Sequence, residues 1–390
     1  MNAKNFIIIG GGIAGLSAIK AIREENKTDS VLWVSDEDRM PYKRTKINKH
    51  IASGFSKDEF ALTDHHWLME NHIELLFDTA EQIDPRKHEL TFKHRGTLKY
   101  NKLIIATGKI PRFLNIDGLP QEIVHQVHTA RQVENIIRSA VKAKRYLVIG
   151  AGVEGVETAE QLVKLGKEVT LVERNSMVLK RFFTPKFAHL MEDSIEKAGV
   201  RLLLDIKQIA YNETESGESL VSIDEQEHKI DTIISSIGYL PNTKLAVDAD
   251  IKCNVGILVN EYLETSAPDV YAAGDVAEHP LGQITGLWHA AEHQGHIAGL
   301  NACGKQIKLE LKPFRMKTEV FGGYYFSVLP YLNNLTLIEE KKGGIARDMY
   351  FKDDKIEALL MKNDGDRAKM YQQALMEKWS LARVRKEIPL

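Results

Sequence analysis

The chain has 390 residues, enough for two or three domains with sizeable cores. Its 43% hydrophobic and 27% charged content is that of a soluble globular protein, and a net charge of −2 leaves nucleic-acid binding to local patches only. Two isolated cysteines, Cys253 and Cys303, form no CxxC pair, which excludes a redox dithiol of the usual spacing and a cysteine zinc cluster.

The rest of the chain is organised around its first fifteen residues. Asn5–Ile9 is a short apolar, β-branched run that predicts a strand. Gly10-Gly11-Gly12-Ile13-Ala14-Gly15 comes next and leads into a helical stretch from Leu16. Gly10 allows the tight turn, Gly12 lets backbone approach a pyrophosphate, and Gly15 lets helix and strand pack closely. The helix N-terminus adds partial positive charge. The next strand, Val31–Val34, runs into Asp36-Glu37, about 20 residues on, where a ribose hydroxyl needs an acceptor.

Residues 39–50 are dense in cations and carry a Pro-Tyr turn, read as a basic loop able to meet phosphates or a ring. Thr63-Asp64-His65-His66 reads as a polar helix start. Segments near Ala80–Asp84, Glu89–Lys93 and Thr97–Tyr100 predict short antiparallel strands. Lys102–Ile105 is a buried strand that ends on the small residues Ala106, Thr107 and Gly108, where backbone can come close to a ligand.

A second cycle starts at Arg145. Tyr146–Ile149 predicts a strand, Gly150-Ala151-Gly152-Val153-Glu154-Gly155 repeats the glycine pattern, and a helix is expected from Val156. Its next strand, Val169–Val172, ends in Glu173. Two such units imply two dinucleotides and chemistry passing between them. Residues 201–236 return to strands, with a polar hairpin around 212–219. Gly238 opens a chain crossing, Asp269–Asp275 predicts a strand ending in a carboxylate, and a helix is expected from Trp288 to Asn301. From about Leu309 strands recur, and Arg367–Lys378 predicts an amphipathic helix.

This order of signals resembles the two-dinucleotide flavoprotein reductases of glutathione-reductase-like architecture. GGGIAG, IIATG (104–108), GAGVEG, YLPN (239–242) and YAAGDVAE (271–278) carry the resemblance over residues 1 to about 305. MPYKRTKINK and the tail after Arg315 are most similar to rubredoxin and flavorubredoxin reductases, and to ferredoxin-type reductases. Thr45 and Asn48 depart from that group's PYxRPxLSK pattern. The resemblance implies an α/β fold with two Rossmann-like domains and a small C-terminal α+β domain. The expected boundaries are an FAD domain at 1–111 and 238–306, an NAD(H) domain at 112–237, and a tail domain at 307–390.

It also implies site residues. For FAD these are Gly10, Gly12, Ile13, Ala14 and Gly15, then Asp36, Glu37, Arg44 and Ala80. Ala106, Thr107 and Gly108 belong with them, and the set closes with Gly274, Asp275, Trp288 and Lys317. For the nicotinamide dinucleotide they are Gly150, Gly152, Gly155 and Glu173, and Gly238 at the chain crossing is a further cofactor-binding residue. Lys49 and Glu157 match the family pair beside the nicotinamide and flavin, where they would orient the rings rather than act as acid or base. A helix start near Trp288, with His289 beside it and Lys317, would favour negative charge on the reduced flavin. Glu173 favours NADH over NADPH, although Arg174, Lys180 and Arg181 leave NADPH open. No metal is expected from His289, His293, His296 and Glu292.

The function expected is hydride transfer from NADH to FAD, then single electrons to a small redox carrier such as rubredoxin or flavorubredoxin, with a basic rim of Arg39, Lys43 and Lys46 for docking. The alternatives are an NADH oxidase or reductase of a small acceptor such as a quinone or nitrogen oxide, and an NADH-responsive redox sensor. A monomer or homodimer in the cytoplasm is expected, without nucleic-acid or membrane partners. No cleavable leader is expected, and no apolar run approaches membrane-spanning length.

Overall fold

The structure, a computed structural model, describes residues 4–214, 217–280, 282, 284–310, 312–328 and 333–390. The chain divides into two compact units. The first holds residues 1–46, 55–110 and 239–311, and the second holds 47–54, 111–238 and 312–390.

The first unit is built on Lys4–Ile9, whose Phe6–Ile9 run is buried and is paired with a strand at each edge. Val31–Ser35 pairs parallel to one edge, with Ile8 opposite Trp33, and Ile73–Phe77 pairs beyond it. The long strand Gly96–Ile105 pairs parallel to the other edge, with Ile8 opposite Ile104, and Val270–Ala272 pairs beyond that. A continuous apolar run is what such a strand requires, since both faces are covered. The first part of Gly96–Ile105 also joins Glu89–Phe92 and Ala80–Asp84 in an antiparallel ribbon.

Two helices lie together in this unit, Ile13–Glu25 and Trp288–Ala302. Their contact is close because Gly295 and Gly299 face the backbone of Ala14 and Ala18. A Cβ at either glycine would overlap a carbonyl. The helix around residue 65 begins as expected, with the Asp64 side chain accepting from the Trp67 N–H at 2.7 Å.

The second unit repeats the parallel plan. Its sheet runs Arg201–Leu203, Glu168–Val172, Arg145–Ile149, Thr232–Ser235 and Val124–Gln126. The polar hairpin is the turn between Ile209–Glu213 and Ser219–Ile223, and Gln226–Lys229 extends it. Residues 215 and 216 of that hairpin lie outside the described residues. The tail forms a five-stranded antiparallel sheet, in the order Met316–Val320, Gly323–Val328, Lys355–Lys362, Ile345–Lys352 and Thr336–Lys342. Its core gathers Phe326, Met349, Leu359, Tyr371, Trp379 and Val384. The expected tail helix spans Ala368–Met376, and a second helix, Leu381–Glu387, lies beyond it where none is expected. Ser380 starts it by accepting from the Arg383 N–H.

Candidate functional site

In the first unit Gly10 sits at φ +125°, and a Cβ there would overlap the Ala106 carbonyl. The turn therefore needs glycine for its backbone and for the neighbouring strand end alike. The Trp33 indole N–H fixes the same turn by donating to the Gly10 carbonyl at 2.9 Å. Gly12 is the N-cap of helix Ile13–Glu25, with no side-chain cap and no acidic residue in the first turn. Nothing lies within 4 Å of a Cβ placed at Gly12. Uncapped N–H groups and an open face are what a diphosphate requires. Ile13 and Ala14 form the first helical turn, and Gly15 packs under Gly10.

Of the acidic pair, Asp36 is exposed and Glu37 is half-buried. The Glu37 carboxylate accepts from the Tyr42 hydroxyl at 2.9 Å and from Arg44 Nη2 at 2.6 Å. Burial opposes the charge of Arg44, but Tyr42, Glu37 and Asp36 outweigh it and hold the guanidinium above its ordinary value. The Pro-Tyr segment thus fixes the Glu37 carboxylate. Ala80 opens the antiparallel ribbon, opposite Phe92.

Ala106 donates to the Ile9 carbonyl, Thr107 donates its hydroxyl to the Asn242 carbonyl at 3.0 Å, and Gly108 accepts from the Asn242 N–H. Gly274 lies against Ala14, held by Gln294 accepting from its N–H at 2.8 Å. Asp275 pairs with Lys109 at 3.1 Å, and that ammonium also lies 4.6 Å from the centroid of the Tyr239 ring. Trp288 opens its helix with no side-chain cap and no acidic residue in the first turn, and Lys43 lies 5.3 Å from the Trp288 ring. His289 contacts Glu292, and His296 reaches Glu24. Among the described residues, no three His, Cys, Asp or Glu side chains stand together as metal ligands.

The second unit builds the same kind of loop. Gly150, at φ +103°, packs on the Ser236 carbonyl, Gly155 packs under Gly150, and Gly152 is an open N-cap for helix Val153–Lys164. Glu173 turns back onto this loop. One oxygen accepts from the Ala151 N–H at 2.8 Å, and the other accepts from the backbone and side chain of Asn175 at 2.9 and 2.6 Å. Gly238 accepts from the Arg112 N–H at the chain crossing.

Glu157 is 5% exposed. Lys49 Nζ lies 2.8 Å from its Oε1, so the two residues singled out by sequence do meet. Two further donors were not legible in the sequence. Thr318 Oγ donates to Oε1 at 2.6 Å, and Asn48 Nδ2 donates to Oε2 at 2.6 Å. Lys317 is exposed on the opposite side of its strand from Thr318. The alternation of buried Met316, Thr318 and Val320 is the signal that could have marked Thr318.

Arg39 is buried, so the exposed cations of the expected basic rim are Lys43 and Lys46. Both thiols are pushed up. Burial and Glu278 act on Cys253; burial, Glu25 and Asp29 act on Cys303 against Arg23 and Lys305. A reactive thiolate needs the opposite environment. No described helix is long and apolar enough to cross a membrane.

Comparison with known proteins agrees with this layout. The family described as pyridine nucleotide-disulphide oxidoreductase matches residues 4–295. The chain is 30% identical to the NADH-rubredoxin oxidoreductase of Clostridium acetobutylicum, over 78% of this chain and 76% of that protein. It is 25% identical to the assimilatory nitrate reductase electron transfer subunit of Bacillus subtilis, over 100% of this chain, and spans about half (51%) of that longer protein. The solved structure of NADH:rubredoxin oxidoreductase from Clostridium acetobutylicum superposes with a TM-score of 0.78 at 26% identity, covering 99% of this chain and 100% of the other.

Proposed function

The chain belongs to the pyridine nucleotide-disulphide oxidoreductase family, and on that premise we propose that it is an FAD-dependent NADH reductase serving a small one-electron carrier of the rubredoxin or ferredoxin kind. The observation that carries this reading is the duplicated open helix N-terminus. Gly12 and Gly152 each leave backbone N–H groups uncapped, and each loop has a carboxylate at the end of the next strand. The unreactive setting of both thiols turns the reading away from disulfide chemistry.

Bound FAD would supply the change from a two-electron donor to one-electron delivery. The remaining work falls to side chains. The N–H groups at the start of helix Ile13–Glu25 hold the FAD diphosphate. Glu37, aimed by Tyr42 and Arg44, accepts from the adenosine ribose. Asp275, paired with Lys109, accepts from a hydroxyl of the ribityl chain. The uncapped start of helix Trp288–Ala302 offers its positive end to the negative charge of reduced flavin. In the second unit Gly150, Gly152 and Gly155 seat the NADH diphosphate. Glu173 accepts from the free 2′-hydroxyl and would repel a 2′-phosphate, which favours NADH. Lys49 and Glu157 orient the nicotinamide; neither needs to move a proton, because hydride transfer removes none.

Anaerobic stopped-flow tests the reading. The yellow holoprotein is reduced with NADH and then mixed with oxidised rubredoxin. Rapid flavin reduction followed by rapid one-electron reoxidation is the expected result. Rapid reduction with negligible reoxidation by rubredoxin or ferredoxin removes the carrier and leaves a reductase of small acceptors.

A further inference from the structure

We propose that Thr318 and Asn48 are positioning residues for nicotinamide binding, acting through Glu157; this rests on Glu157 as a residue of the nicotinamide site. A carboxylate with 5% exposure must be met by donors. Of roughly four acceptor positions on a carboxylate, three are taken, by Lys49 and Thr318 on Oε1 and by Asn48 on Oε2. Among the described residues no donor takes the second position on Oε2, which is left for a ligand donor.

The three donors differ in freedom. The Lys49 side chain is 32% exposed and reaches Glu157 on a flexible stem. Thr318 and Asn48 are 2% and 5% exposed. A β-branched hydroxyl in a strand has few rotamers, and a buried amide has little room to turn. The buried pair therefore fixes the carboxylate, while Lys49 can adjust to the ligand.

The same two segments clasp the helix again, one turn on. The Phe321 N–H donates to Glu160 Oε1 at 2.8 Å, and the Ala52 N–H donates to Gln161 Oε1 at 3.3 Å. The backbone clasps hold the helix against strand Met316–Val320 and segment 47–54. The Thr318 and Asn48 side chains are thus not needed to dock these segments, and their donors go to Glu157. This gives the tail a part in the nicotinamide site, through one hydroxyl.

The test compares Thr318→Val, Thr318→Ser and Glu157→Gln holoproteins by anaerobic stopped-flow, with the long-wavelength absorbance of the nicotinamide–flavin complex and the thermal midpoint recorded for each. Thr318→Val is nearly isosteric. It is expected to slow flavin reduction about tenfold and to weaken the long-wavelength band, with NADH half-saturation changed less than about twofold. Its thermal midpoint should stay within about 3 °C of the parent. Thr318→Ser should recover both rate and band. In the Glu157→Gln background, Thr318→Val should have little added effect. A parental rate and band in Thr318→Val, or equal impairment in Thr318→Ser, overturns the proposal while leaving Glu157 in its place. A parental rate and band in Glu157→Gln overturns the nicotinamide reading itself.

Discussion

Lys109→Met should loosen FAD by about tenfold, for reasons that can be worked from three groups. The ammonium sits 3.1 Å from Asp275 and 4.6 Å from the Tyr239 ring centroid, and about a third of it is exposed. At that separation and an effective dielectric near 20, the Coulomb attraction is about 5 kcal/mol. Partial exposure and the desolvation of both charges reduce the net value to roughly 1–2 kcal/mol. Without Lys109, Asp275 would present an uncompensated charge to a doubly charged diphosphate. A loss of about 1.4 kcal/mol is a factor of ten in the dissociation constant. Methionine keeps the unbranched stem and its contact with Tyr239, so the change is mainly one of charge. The assay is titration of flavin-free protein with FAD, followed by flavin fluorescence at low and moderate salt. The parent should show the steeper loss of affinity with salt, and Lys109→Met in an Asp275→Asn background should cost less than in the parent. Equal FAD affinity in Lys109→Met and parent across salt concentrations would refute the reasoning.

Three other outcomes are expected. Lys46→Glu should lower turnover with an acidic carrier and flatten its salt dependence, while flavin reduction by NADH stays unchanged; a carrier rate equal to the parent at every ionic strength removes the docking role. Arg347 is 1% exposed and donates to Glu340 at 2.7 Å, to the Tyr371 hydroxyl at 3.2 Å and to the Ile388 carbonyl at 2.6 Å. Arg347→Met should therefore cost the tail about 3–5 kcal/mol in urea unfolding, and a loss below about 1 kcal/mol contradicts the reading. Burial alone would raise the Asp231 carboxyl, but Arg145 and the backbone N–H groups of Lys144 and Arg145 hold it below its ordinary value. A lowered carboxyl stabilises the fold above its unfolded-state pKa, and that contribution is lost as pH falls through the folded value. Stability between about pH 5 and pH 3 should thus fall less steeply in Asp231→Asn than in the parent, and parallel acid limbs count against it.

Both glycine loops were legible because the constraint on them is local. A strand that runs into an uncapped helix needs glycine at fixed offsets, and the chain carries that requirement within about six consecutive residues at Gly10–Gly15 and Gly150–Gly155. The strands around them were legible for a related reason, since enclosed parallel strands must be apolar throughout, as Phe6–Ile9 and Leu147–Ile149 are. Lys49 and Glu157 could be paired in advance only through resemblance, for nothing in their own neighbourhoods joins them. The second tail helix, Leu381–Glu387, escaped because its seven residues are too few for a period to stand out.

What the tertiary structure decided is which side chains share a buried polar atom. Thr318 and Glu157 are 161 residues apart, and Asn48 and Glu157 are 109 apart. Lys109 meets Asp275 only because the strand end at Gly108 and the loop after Val270–Ala272 leave the same sheet side by side. Arg39 lies in a run of cations that reads as solvated surface, and packing buried it. Gly295 and Gly299 are ordinary helix residues until Ala14 and Ala18 come against them. Backbone requirements are written residue by residue into the chain, but a hydrogen-bond partner for a buried carboxylate is chosen by proximity in space, which no spacing rule records.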